Sequence, residues 1–329
     1  MRKLIGILLA FIFLFSCLTD SAARAEEKKL SVVVTIFPIY DWVREIAGPD
    51  ADHTEITLLL DSGVDLHSYQ PSAQDILKIS TADLFIYVGG ESDEWVEDVL
   101  ASAMNPRLEA LNLLDEMGED VKTEETVEGM EHSHEEEQDE EAHDHSHEHE
   151  EEADEHVWLS LRCAQKLTGA IAASMAGLDT IHAGLYLANA AAYTEKLAAL
   201  DARYAQTVAN AEIKTILFGD RFPFRYLADD YGLTYFAAFS GCSAESEASF
   251  QTIMFLAQKV DELGLPAVLT IEHPRTRIAE TVVQSTASGN QKILTIDSMQ
   301  GITAQDIQTG VTYLSIMEDN PAVLTEALN

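Results

Sequence analysis

The sequence predicts an α/β fold of two lobes, each with a mostly parallel sheet flanked by helices, joined by one long rigid helix. Three observations predict it. Short β-branched runs alternate with segments of helical spacing in both halves of the chain, and such alternation implies crossover connections and parallel pairing. Residues 181–210 contain no Pro, and no Gly after Gly184, so they extend as one helix of roughly 40 Å at about 1.5 Å per residue. Within the first lobe, residues 115–155 hold 21 acidic residues and one Lys, an acidic, His-rich insertion that cannot bury a core and is expected to be disordered.

In chain order, residues 1–25 form a leader. Arg2 and Lys3 precede an apolar run over 4–15, which is shorter than the about 20 residues a membrane span needs. Leu14-Phe15-Ser16-Cys17 has the form of a bacterial lipobox, with Cys17 as the acylated residue; cleavage after Ala23-Arg24-Ala25 is the alternative. The N-terminal lobe then covers 26–180. LSVVVTI is a strand, and Pro38 opens the helix IYDWVREIAG that follows it. EITLLL is a strand, PSAQDILKIS a helix begun by Pro71 and Ser72, ADLFIYVGG a strand, and SDEWVEDVLASAM an acid-capped helix. Beyond the acidic insertion (115–155) comes HVWLSLRCAQKLTGAIAASMAGL, and then the linking helix over 181–210. The C-terminal lobe, 211–329, resumes the alternation with strands in KTILFGD, LTYFAAF, AVLTIEH and KILTID, separated by helical segments and closed by a helix from about Asp306.

The formal net charge of −37 argues against nucleic acid or anionic lipid as a binding partner and leaves divalent cations as natural counter-charge. Cys163 and Cys242 read as two separate small buried residues, the alternative being a disulfide that forms only if the fold brings two distant segments together.

In open α/β sheets ligands bind beyond the carboxyl ends of the strands. His67 follows the second strand, Asp220 a strand of the second lobe, Glu272 and His273 another, and Asp297 the last; His156 stands where the acidic tract ends. Imidazole with carboxylate suits Zn2+ or Mn2+. No cysteine reads as placed for ligation, which argues against thiolate sites. A zinc hydrolase would need a motif such as H-E-x-x-H, and Glu155-His156 lacks the second His. The chain is therefore expected not to be an enzyme.

Four stretches carry a family resemblance: VVVTIFPIYDWVREIAG, LLLDSGVDLHSYQPSAQDILKISTADLFIYVGG, DEHVWLSLRCAQKL, and LTIDSMQGITAQDIQTGVTYLSIMEDNPAVLTEAL. From about Leu30 to its end the chain resembles the zinc and manganese solute-binding lipoproteins of bacterial ABC importers, the ZnuA and TroA group. The resemblance implies the metal-type periplasmic-binding-protein fold, with a cation held between the lobes. It also implies an extracytoplasmic monomer, lipid-anchored to the cell membrane, that hands Zn2+, or else Mn2+, to an ABC permease. A surface adhesin or metal buffer is the rival role.

By the same resemblance His67 and His156 are the first-lobe ligands. The family's next ligand is a His in an H-D-A-F block, which here reads Gly219-Asp220-Arg221-Phe222. The expected sphere is therefore His67, His156, Asp297 and Asp220, with Glu272 and His273 in reserve.

Seven of the eleven histidines lie in residues 131–158. His132, His134, His143, His145, His147 and His149, set among carboxylates, offer many weak ligand sets. The tract is expected to capture Zn2+ and raise its concentration at the cleft, with a solvated acidic linker as the bland alternative.

Overall fold

The computed structural model describes residues 28–49, 51–130, 152–243, 247–272 and 276–329. Two four-stranded parallel sheets form its frame. In the first, β1 (Leu30–Val34) pairs with β2 (Thr54–Leu58) on one side and β3 (Leu84–Tyr87) on the other, and β4 (Glu109–Asn112) adds to β3. In the second, β5 (Thr215–Phe222) lies between β6 (Thr234–Ser240) and β7 (Ala267–Thr270), with β8 (Lys292–Thr295) outermost. The orders 2-1-3-4 and 6-5-7-8 are the same order used twice. In each sheet the chain reverses its winding direction beside the first strand, and a crevice opens there at the strands' carboxyl ends.

Burial explains why the central strands are continuous apolar runs. Val32, Val33 and Val34 are all buried, as β1 is covered on both faces. Along β5 the side chains alternate between two cores: Ile216 and Phe218 join the large one, Leu217 the smaller one with Phe239, Leu256, Val260 and Val282. The large core is continuous through both lobes, from Val34 and Ile86 through Trp42, Trp158 and Tyr313 to Phe218 and Leu269.

The linking helix, Ala183–Asn210, has 28 residues. Tyr186, Ala190, Tyr193, Leu197, Leu200, Tyr204 and Val208 form its buried stripe, three or four positions apart. That stripe packs against helix Leu161–Leu178, against Phe37–Ala47 of the first lobe and against Tyr313–Ala327 of the second. Tyr204 donates to the Met317 carbonyl at 2.9 Å. Among the described residues no helix is long and apolar enough to cross a membrane.

Three sequence expectations change. β4 was not anticipated, because Glu109–Asn112 is a short edge strand with one buried residue, Leu111. The closing helix is split into Ala304–Gln308 and Tyr313–Ala327 around Gly310, whose φ of +96° only glycine adopts readily. The acidic insertion is also narrower than its composition suggested. Residues 113–117 are helical and capped by Asn112, Met117 and Met130 are buried, and an antiparallel bridge joins Thr123 to Ala153. Main-chain bonds Glu124 N to Glu152 O (2.7 Å) and Asp154 N to Lys122 O (2.8 Å) complete this pairing. A few apolar anchors and backbone bonds suffice to order acid-rich flanks. Residues 131–151, with the six tract histidines, lie outside the described residues, as do the leader with Cys17 and the reserve ligand His273.

Candidate metal centre

His67 sits in a single 3-10 turn, Leu66–Ser68, after β2. Asp65 caps that turn through its Oδ1, which accepts from His67 N at 3.0 Å. The other oxygen of Asp65 pairs with the Arg221 guanidinium of the second lobe, which also donates to Gln300 Oε1 at 2.9 Å. The His67 turn is thus fastened across the crevice. His156 immediately precedes a second 3-10 turn, Val157–Leu159, and is fully buried. Trp158, in that turn, donates its indole N–H to the Ser298 carbonyl at 2.9 Å and accepts from Tyr313 Oη at its own carbonyl at 2.7 Å. Both imidazoles are therefore held by turns that are themselves tied to the opposite lobe.

The two rings meet with their Nε2 atoms 3.2 Å apart. Their other nitrogens are occupied. His156 Nδ1 lies 2.9 Å from Asp154 Oδ1, which also accepts the His156 main-chain N–H at 2.9 Å. His67 Nδ1 lies 2.8 Å from Ser92 Oγ and 3.4 Å from Glu155 Oε2. A carboxylate only accepts, so the Asp154 contact places the proton of neutral His156 on Nδ1 and leaves Nε2 with a lone pair. Ser92 and Glu155 favour the same tautomer of His67. Two lone pairs facing each other at this distance repel, and a cation between them removes the repulsion. Two nitrogens at 2.0–2.1 Å from a tetrahedral zinc are roughly 3.3 Å apart, close to the separation found.

Carboxylates surround the pair. Burial alone would raise the Glu155 carboxyl, but contacts with His67 and Ser92 outweigh it and hold the group below its ordinary range. Glu155 Oε1 accepts Ser92 N at 2.8 Å. His67, Glu91, Ser92, Glu152, Ala153, Glu155 and Cys242 line a cavity of about 190 Å3. In it Glu152 is the main cause of an elevated Glu91 carboxyl, with burial second. Acids that repel one another at the rim are a ready cation attractor.

Two glycines make the geometry possible. Gly90, at φ +81°, lies so close to Glu155 that a Cβ would stand 2.4 Å from its Oε1. Gly241 lies against His156, where a Cβ would come within 3.0 Å of the ring.

Among the described residues one group of potential ligand atoms lies mutually within 4.8 Å: His67, His156 and Cys242. The expected carboxylates Asp220 and Asp297 are not part of it. Asp220 accepts from Arg221 N at 2.9 Å and Ile271 N at 3.3 Å, organising the ends of β5 and β7. Asp297 accepts from Met299 N at 2.7 Å, and burial, with Glu272 nearby, pushes its carboxyl up to about 7. Glu272 is consumed by backbone: Ser298 N, Gln300 N and Gly301 N all donate to it, along with Ser298 Oγ. These acids shape loops.

The sequence reading places no cysteine near the ligand set, whereas in the structure Cys242 Sγ lies within 4.8 Å of ligand nitrogens of His67 and His156. Cys242 follows β6, so the strand-end rule that selected Asp220 and Asp297 applies to it equally. Asp154 and Glu155 were also missed as partners of the histidines, although they directly precede His156 in the sequence.

The comparisons with known proteins agree with this architecture. The profile of the family described as ZnuA, zinc-uptake complex component A, periplasmic, matches residues 32–327. The zinc-binding lipoprotein AdcA of Streptococcus pneumoniae is 32% identical over 329 residues, 98% of this chain and 61% of that one. The chain therefore spans about three-fifths of the length of that relative. The high-affinity zinc uptake system protein ZnuA of Bacillus subtilis is 30% identical over 310 residues, 94% of this chain and 91% of that protein. Among solved structures, the Zn(II)-bound ZnuA-like domain of S. pneumoniae AdcA superposes with a TM-score of 0.69 at 27% identity, covering 91% of this chain and 99% of that one. The metal-dependent lipoprotein YcdH of B. subtilis gives 0.71 at 26%, covering 91% and 99%.

Proposed function

The chain belongs to the ZnuA family of zinc-uptake complex components, and from that premise we propose that it captures Zn2+ between its lobes and delivers it to an ABC permease. The zinc named in the AdcA and ZnuA relatives supports the choice of cargo. The observation that carries the reading is the pair of enclosed imidazoles with facing Nε2 atoms and carboxylate-supported Nδ1 atoms. Outer partners of this kind fix ring orientation and raise ligand basicity. Zinc here is cargo, held and released unchanged, so the protein acts as a receptor rather than an enzyme.

Placement outside the cytoplasm, on a lipid anchor at Cys17, is supported by the lipobox form of residues 14–17 and by the name of the AdcA lipoprotein relative. The tract from His132 to His149 offers many weak ligand sets that capture zinc for the cleft, whose rim is already acidic through Glu91 and Glu152. Ties such as Arg221 to Asp65 and Trp158 to Ser298 favour release by small local movements of the His67 and His156 turns over wide hinge opening.

Metal-free protein titrated with zinc in the presence of a competing chelator tests the proposal. Wild type is expected to bind one tight equivalent, which His67→Ala and His156→Ala each abolish. Tight binding that survives both substitutions would refute it.

A further inference from the structure

We propose that Cys242 is the third protein ligand of the cation, a thiolate that completes a His-His-Cys centre and sets its preference for zinc over manganese. This rests on the zinc-receptor reading and specifies its coordination chemistry.

Three independent features point there. The Cys242 sulfur lies within 4.8 Å of ligand nitrogens of His67 and His156, and it shares the 190 Å3 cavity that His67 lines. The turn that carries it is positioned against the site: Gly241 abuts the His156 ring, and Cys242 N donates to Glu124 Oε1 at 2.8 Å. Cys242 forms no disulfide; Cys163, buried in helix Leu161–Leu178, is likewise free.

The third feature is at position 219, where the sequence resemblance implies an imidazole and the chain carries glycine. Gly219 packs on helix Arg277–Ser285 so closely that a Cβ would lie 2.5 Å from Ala279 Cα and 2.8 Å from its N. Both close atoms are backbone, so no side chain is accommodated there unless the helix moves. Position 219 therefore supplies no donor, and the sulfur stands beside the two imidazoles.

The chemistry then differs from the imidazole and carboxylate set that the sequence suggested. Zinc takes nitrogen at 2.0–2.1 Å and sulfur at about 2.3 Å in tetrahedral sites, so the three donors converge by shifts on the order of 1 Å. Manganese prefers oxygen, and a thiolate discriminates against it. On coordination the thiol proton passes to solvent. The acid-lined cavity that His67 and Cys242 share has room for a water as a fourth donor.

Cobalt(II) reports the sulfur directly. In a Cys17→Ser background, so that Cys163 and Cys242 are the remaining thiols, the first equivalent of Co2+ is titrated into metal-free full-length protein. The parent and Cys163→Ser are expected to show a near-ultraviolet sulfur-to-cobalt charge-transfer band. Cys242→Ser is expected to lack that band while still binding cobalt. Its zinc affinity should fall by more than about tenfold, the loss already typical of removing a mere supporting partner, and its manganese affinity should stay level. A band that persists in Cys242→Ser, or unchanged zinc affinity in Cys242→Ala while His156→Ala abolishes binding, would overturn the thiolate ligand and leave the zinc receptor standing. Tight zinc binding in both His156→Ala and Cys242→Ala would overturn both.

Discussion

Asp41 shows how one buried side chain couples the lobes and titrates. Its carboxylate is fully enclosed, pairs with Arg44 and accepts Tyr313 N at 2.8 Å from the second lobe's last helix. Burial raises it to about 6, against the opposing pulls of Arg44 and the Tyr313 N–H. The folded state therefore holds this proton more tightly than the unfolded chain does. That contribution is complete below the unfolded value near 4 and is lost as pH rises through 6. Relative to Asp41→Asn, wild type should lose about 1 kcal/mol of stability between about pH 5 and about pH 7.5. Urea unfolding of both proteins with chelator present measures this, and parallel pH dependences would contradict it. Nothing in IYDWVREIAG marks Asp41 as buried, since a polar residue in an amphipathic helix reads as solvated until its packing partners are known. His67 and His156 were legible because they stand in the distinctive D-x-H-S-Y and H-V-W-L blocks. Cys242 was not, because a lone cysteine carries no spacing.

At the scale of elements, the turn after β3 governs how firmly His67 is held. Gly89 and Gly90 both have positive φ, +94° and +81°, and Asp93 Oδ2 accepts Gly89 N at 3.0 Å. The turn presents Ser92 N and Ser92 Oγ to Glu155 and His67. Gly90→Ala puts a methyl group where Glu155 Oε1 now lies and strains a left-handed backbone. It should displace Glu155 and weaken zinc binding by about 10- to 100-fold, the range for losing an outer partner. Calorimetry against a chelator gives the affinity, and a wild-type value would remove Glu155 from the supporting role. Element types were readable from β-branched runs and helical spacing. The edge strand β4 and the break at Gly310 were not, because a short edge strand has little burial to imprint on its sequence and one glycine inside a helical pattern is common.

For the whole molecule, the proposal predicts two classes of zinc site, a tight one at the cleft and weak ones in the acidic tract. The flank that follows the tract lines the cavity through Glu152 and Ala153, and Thr123 of the preceding flank bridges to Ala153. Deleting residues 131–151 should remove weak zinc equivalents and leave the single tight one intact. Unchanged total stoichiometry by calorimetry would show that the tract binds no metal. The apolar core that runs through both lobes is built from described residues on either side of this segment, and the deletion is expected to leave the fold standing.

Composition and periodicity by themselves determined the α/β class and the long linking helix, because hydrophobic spacing is a local property, while the family resemblance singled out the two histidines. Tertiary structure alone decided which donors share a cavity. Asp220, Asp297 and Glu272 are taken up by backbone N–H groups that the sequence cannot count. Gly219 is closed off by a helix some sixty residues downstream. Cys242 reaches the imidazoles only through the packing of one lobe against the other.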